Sequence, residues 1–80
     1  MVTVKFFGWA KDITGCDERS LVYSGAMNAA EFWNEISREY PALARHKEQY
    51  ALAVNYEYAT AASIINDGDE VAVIPPVSGG

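Results

Sequence analysis

The sequence predicts a single α+β domain in which one amphipathic helix covers one face of a sheet of short strands. Three observations predict it. Apolar residues alternate near both ends of the chain, at residues 2–7 and 70–74; one well-capped helical stretch lies between them; and 80 residues suffice for one core. A chain of this length buries roughly 60% of its unfolded surface, enough for a domain that needs no metal or disulfide.

In residues 2–7, Val2, Val4 and Phe6 point to one side while Thr3, Lys5 and Phe7 point to the other, the pattern of a half-buried strand. Gly8 breaks it, residues 9–14 make a short helical turn and Gly15 ends that turn. After a polar turn at residues 16–18, a second strand is expected at 19–23, with Leu21 and Tyr23 on one side and Ser24-Gly25 closing it. Asn28 and Glu31 have the spacing of a capping box. Behind them Ala29, Phe32, Trp33, Ile36, Tyr40 and Leu43 recur at helical intervals, opposite Asn34, Glu35, Arg38 and Glu39. This predicts a helix over 29–40, ended by Pro41, with Phe32 and Trp33 on the face packed against the sheet. Residues 42–50 read as an irregular charged connection and 51–55 as a third strand with Leu52 and Val54 inward. Residues 56–65 are ambiguous. Asn66-Asp67-Gly68-Asp69 is a turn that feeds the last strand, 70–74, with Val71 and Val73 on one face and Glu70, Ala72 and Ile74 on the other.

Composition narrows the possible chemistry. Six Lys+Arg against eleven Asp+Glu give a net charge of −5, and the basic residues are scattered, which disfavours nucleic acid and anionic lipid as partners. One cysteine cannot close an internal disulfide, and Cys16 with His46 is too small a set for a structural zinc site, so no metal is expected. No apolar run reaches the length of a membrane span and the first residues lack the order of a signal peptide, which suggests a cytoplasmic chain. His46 lies in the charged run Arg45-His46-Lys47-Glu48 and reads as a surface residue. Cys16 precedes Asp17 and Glu18, whose charge disfavours a thiolate. Asp67, Asp69 and Glu70 lack calcium-loop spacing, and the glycines form no phosphate-binding pattern.

The C-terminus is more specific. Ile74-Pro75-Pro76-Val77-Ser78-Gly79-Gly80 leaves a strand, enters two prolines and finishes on two glycines. Prolines lack the N–H a sheet needs and fix φ, so they stop the sheet and project the chain. Six residues at about 3.1 to 3.3 Å each reach roughly 20 Å, far enough to enter another protein's active site. Gly79 and Gly80, without Cβ atoms, pass a narrow channel and leave the terminal carboxylate open to attack from either side. Two final glycines alone arise in about one chain in 200 at average glycine usage. Placed after Pro75-Pro76 and a strand, they form a signal. Strand parity adds a second clue: Phe7 and Ile74 lie on faces that otherwise carry Thr3, Lys5 and Glu70. If those strands are neighbours, an exposed apolar patch sits beside the tail's root, as at a partner interface.

Taken together, Val4-Lys5-Phe6-Phe7-Gly8 with Lys11-Asp12 and Gly15, Ala53-Val54-Asn55, and Asp67-Gly68-Asp69-Glu70-Val71-Ala72 running into the Pro75-to-Gly80 end resemble the small subunit of molybdopterin synthase, a ubiquitin-like sulfur carrier family. The resemblance implies a β-grasp fold, a mixed sheet of four to five strands with one main helix and the first and last strands side by side. Residues 1–74 would form the domain and 75–80 a flexible, extended Gly-Gly tail. It implies that the chain is not catalytic alone and holds no cofactor. An enzyme resembling E1 ubiquitin-activating enzymes would use ATP to turn the Gly80 carboxylate into an acyl adenylate, and a sulfur donor protein would displace AMP to leave a thiocarboxylate. The tail would then enter the large subunit of a heterotetrameric synthase to sulfurate cyclic pyranopterin monophosphate. On the same ground Phe7, Lys11, Tyr58 and Ile74 face partners and Pro75, Pro76, Val77, Ser78, Gly79 and Gly80 thread the active site. Lys11 stands where arginine is common, which would reduce a bidentate carboxylate contact to a point charge. Three alternatives stay open: a sulfur carrier of thiazole synthesis, a ubiquitin-like protein modifier, and an interaction domain with an idle tail.

Overall fold

Strand β1 (Val2–Phe6) buries Val2, Val4 and Phe6 and leaves Thr3 and Lys5 half-buried, following its sequence alternation. The computed structural model describes residues 1–23, 25–45, 49–60 and 62–75. Beyond Phe6 the chain turns at Gly8 into α1 (Trp9–Thr14), which ends at Gly15 in the left-handed conformation, φ 77°. The β2 strand (Glu18–Leu21) pairs antiparallel with β1, Leu21 opposite Val2. It stops two residues short of the expected end at Tyr23 because β1 begins at Val2 and offers no further partner.

The α2 helix (Ala29–Glu39) opens with the expected capping box. Asn28 Oδ1 accepts the Glu31 N–H at 2.8 Å, and Glu31 Oε1 accepts the Asn28 N–H at 3.0 Å. Phe32 and Ile36 are fully buried, and Trp33 packs partly buried beside them. Tyr40 caps the helix with φ −130°, since the residue before a proline is driven out of the α region. Pro41 does more than stop the helix: it is the first residue of a short α3 (Pro41–Ala44), which corrects the expectation of an irregular segment there. Proline suits that position because its missing N–H would have no helical partner. Leu43, fully buried, ties α3 to the core. His46 lies outside the described residues.

Strand β4 (Ala51–Val54) turns through Asn55 and Tyr56 into β5 (Glu57–Tyr58), with Val54 opposite Glu57. Both turn residues have positive φ, 50° and 72°, the requirement of a two-residue hairpin with the twist of its strands. Leu52 is buried and Val54 packs partly buried against the core, as expected; Ala53, on the other face, is buried as well. Two further strands, β3 (Ala26–Asn28) and β6 (Ile64–Asn66), pair with each other antiparallel in a separate small sheet that places Met27 and Ile65 in the core. The last strand, β7 (Glu70–Ile74), buries Val71 and Val73.

The main sheet has five strands in the order β2-β1-β7-β4-β5. It is mixed: β1 and β7 run parallel, and each other pairing is antiparallel. The first and last strands are thus neighbours, as the resemblance implied. Val2, Val4, Phe6, Val71, Val73 and Leu52 meet Phe32 and Ile36 of α2. Each large apolar side chain so buried stabilises the fold by about 1.5 to 3 kcal/mol against exposure. Phe6 also meets the Tyr40 ring edge-on at 5.6 Å.

Candidate functional site

The opposite face of the sheet exposes Phe7 and Tyr58. Because β1 and β7 are adjacent and in register, Phe7 and Ile74, which the alternation assigned to the outer face, come to the same end of it; the Phe7 N–H donates to Val73 O at 3.2 Å. Phe7 is 48% exposed and Ile74 half-buried. Tyr58 joins them across β4, where it pairs with Ala53, which in turn pairs with Ala72 of β7. These residues, with Lys5, Tyr56 and Glu70, line a groove of about 280 Å³. The small Ala53 and Ala72 make its floor between larger side chains.

Lys5 Nζ stands 3.3 Å from Glu70 Oε1 at one side of the groove. The hydrogen bond and charge of Glu70 raise the Lys5 ammonium above its ordinary pKa, so Lys5 is cationic at neutral pH. Lys11, exposed on α1, borders a neighbouring depression of about 450 Å³ shared with Phe7, Gly8, Asp17 and Glu18. Phe7 therefore forms the ridge between the two hollows. An apolar floor, three exposed aromatic rims and one internally matched ion pair make a surface suited to docking rather than to proton transfer.

The root of the tail lies at the same end. Pro75 follows Ile74 directly, and its Cγ lies 3.2 Å from where a Cβ on Gly8 would stand. Pro76, Val77, Ser78, Gly79 and Gly80 lie outside the described residues. Cys16 and Asp69 are tied into the fold by hydrogen bonds. Cys16 lies 3.6 Å from the Tyr40 hydroxyl, and burial is the main cause that raises the Tyr40 phenol above its usual pKa. Asp69 accepts the Asn66 N–H at 2.8 Å within the turn before β7. That backbone bond, helped by Asn55, holds the Asp69 carboxyl below its ordinary pKa. Among the described residues no three His, Cys, Asp or Glu side chains gather into a possible metal site, and no helix is long and apolar enough to cross a membrane.

Two contributors escaped the sequence. Tyr56, 86% exposed on the groove, sits in a turn whose Asn-Tyr pair lacks the glycine that usually marks positive φ. The proximity of Gly8 and Pro75 joins residues 67 positions apart, beyond any local signal.

A mixed five-stranded sheet with parallel central strands, crossed by one helix and rooted beside an apolar groove, defines a ubiquitin-like β-grasp protein. Known proteins narrow this. The ThiS family model matches residues 4–80. A molybdopterin synthase sulfur carrier subunit from Homo sapiens is 35% identical over 82 residues, covering 99% of this chain and 93% of that relative. Small archaeal modifier protein 1 of Haloferax volcanii matches with a TM-score of 0.83 at 20% identity, covering 95% of this chain and 97% of its own, a likeness of fold alone. A chain from the protein-protein complex of subunits 1 and 2 of molybdopterin-converting factor from Helicobacter pylori 26695 matches with a TM-score of 0.66 at 25% identity, covering 99% of this chain and 97% of its own. The chain belongs to the ThiS family.

Proposed function

We propose that this chain is the sulfur-carrying small subunit of molybdopterin synthase, acting in the cytoplasm. One observation carries the reading: similarity to a sulfur carrier subunit of that synthase runs through 99% of the chain, and the family match extends to Gly80. The groove supports it, since a carrier that supplies no acid or base of its own still needs a surface on which partners seat it. Residues 1–74 act as the docking body and 75–80 as the arm.

The chemistry then belongs to the terminal carboxylate. Its oxygen attacks the α-phosphate of ATP on an E1-like adenylating enzyme, forming the Gly80 acyl adenylate and releasing pyrophosphate. A sulfur donor protein delivers sulfide-level sulfur, whose attack on the acyl carbon expels AMP and leaves the thiocarboxylate, a softer nucleophile than the carboxylate. Docked on the large subunit through Phe7, Tyr58, Ile74 and Lys11, the chain inserts Pro75, Pro76, Val77, Ser78, Gly79 and Gly80 into the active site, where sulfur passes to cyclic pyranopterin monophosphate toward the molybdopterin dithiolene. The large subunit supplies the basic pocket and the proton transfers.

Incubation with ATP, the adenylating enzyme and a sulfur source is expected to raise the intact mass by the exchange of one oxygen for one sulfur at Gly80. An unchanged mass, or conjugates linked to lysines of other proteins, refutes the proposal. Deleting Gly80 should abolish the exchange and leave the thermal unfolding midpoint where it was.

A further inference from the structure

Gly8 holds φ 56° and ψ −135° in the turn between β1 and α1, a region that residues with side chains rarely enter. Space is also restricted there. A Cβ at Gly8 would stand 3.2 Å from Pro75 Cγ and 3.7 Å from Pro75 Cδ. The proline atoms belong to a closed ring on a fixed φ, so they cannot swing aside like the end of a long side chain. Parallel pairing accounts for the meeting. β1 and β7 reach the same edge of the sheet together, joined by the bond from Phe7 N–H to Val73 O, and there they part. One chain turns through Gly8 into α1 while the other runs on through Pro75.

We propose that Gly8 is a positioning residue for the C-terminal tail: the bare backbone of the β1–α1 turn seats Pro75 and thereby sets the direction in which the tail leaves the groove. The proposal rests on the carrier reading above only for the purpose of the arm. Gly8 touches no reacting atom and acts through Pro75. A methyl group at residue 8 forces Pro75 to give way by a few tenths of an ångström. Gly80 is tied to the folded body only through Pro75 and the residues after it, so a change of direction at Pro75 alters where the arm is offered. Misplacement of a reacting group by about 1 Å slows reactions by as much as a hundredfold.

The test compares four chains: the parent, Gly8→Ala, Pro75→Ala and the double variant. Pro75→Ala removes Cγ and Cδ and leaves only Cβ, 4.0 Å from the added methyl, so the double variant keeps the backbone strain at residue 8 but loses the close contact. Each chain carries Cys16→Ser and a nitroxide on Ser78→Cys, and broadening of the backbone amides of the folded body maps where the tail points. Gly8→Ala is expected to change the set of broadened amides in the parent and to change nothing further in the Pro75→Ala background. An unchanged set, or the same change in both backgrounds, overturns the proposal. Should Gly8→Ala fail to fold, Pro75→Ala alone opens the contact from the other side and is expected to enlarge the broadened set; an unchanged set again overturns it. In unlabelled chains, sulfur transfer by Gly8→Ala should show kcat lowered about tenfold with the apparent KM for the carrier unchanged, and a smaller loss when Pro75→Ala is the reference. Absence of transfer in every chain, the parent included, refutes the carrier function and leaves the nitroxide result to decide the role of Gly8.

Discussion

Tyr58 allows docking to be separated from folding. Its residue is 74% exposed on β5, at the edge of the main sheet. A tyrosine buries about 200 Å² when fully covered, so about 150 Å² remains for a partner and about 50 Å² is already buried in the free chain. At 25 cal/mol per Å² the ring contributes about 1.2 kcal/mol to folding and up to about 3.7 kcal/mol to a complex that covers it. Tyr58→Thr removes the ring and keeps a residue that favours strands, so the hairpin of β4 and β5 retains its local preference. Urea unfolding of the isolated variant should show a loss of about 1 kcal/mol, while titration calorimetry against the synthase large subunit should show binding weakened by about tenfold to several hundredfold. A folding loss of about 2 kcal/mol or more with binding changed less than about threefold would place the ring in the fold rather than on the interface, and the docking assignment of this face would fall.

Ile36→Val removes one methylene from a fully buried site on α2 and should lower the unfolding free energy by about 1 kcal/mol in urea titration, with partner binding unchanged. Asn28→Ala breaks the capping box and should cost about 1 kcal/mol, read as a lower thermal midpoint and weaker amide protection at the start of α2. Asp69 has a lowered pKa in the folded chain, so its stabilising effect is present above the unfolded value near 3.8 and disappears as pH falls through the folded one. Between about pH 5 and pH 3, Asp69→Ala should therefore lose less stability than the parent; equal acid sensitivity would remove Asp69 from the account.

The outer strands of the sequence were legible because alternation over five residues has only one reading, and α2 because a cap and a helical period agree over eleven residues. Alternation also placed Phe7 and Ile74 on the outer face, but it could not make β1 and β7 neighbours; only the family resemblance implied that. The three-residue strands β3 and β6 are too short to show a period and exist through pairing across nearly forty residues of chain. Pro41 hid α3, since the same ring that forbids a helix interior favours a helix start. In the site, Tyr56 was missed because its backbone conformation is imposed by the hairpin rather than by its own preference.

The placement of β7 has a consequence for synthesis. It is the last of the described strands in chain order, yet it stands in the middle of the main sheet, between β1 and β4. Without it the β2-β1 and β4-β5 pairs share no edge, and the floor of the groove lacks Ala72 and Ile74. A chain cut short before β7 therefore cannot assemble the groove. Because the tail follows β7 directly, the groove is completed only when synthesis has reached the root of the arm.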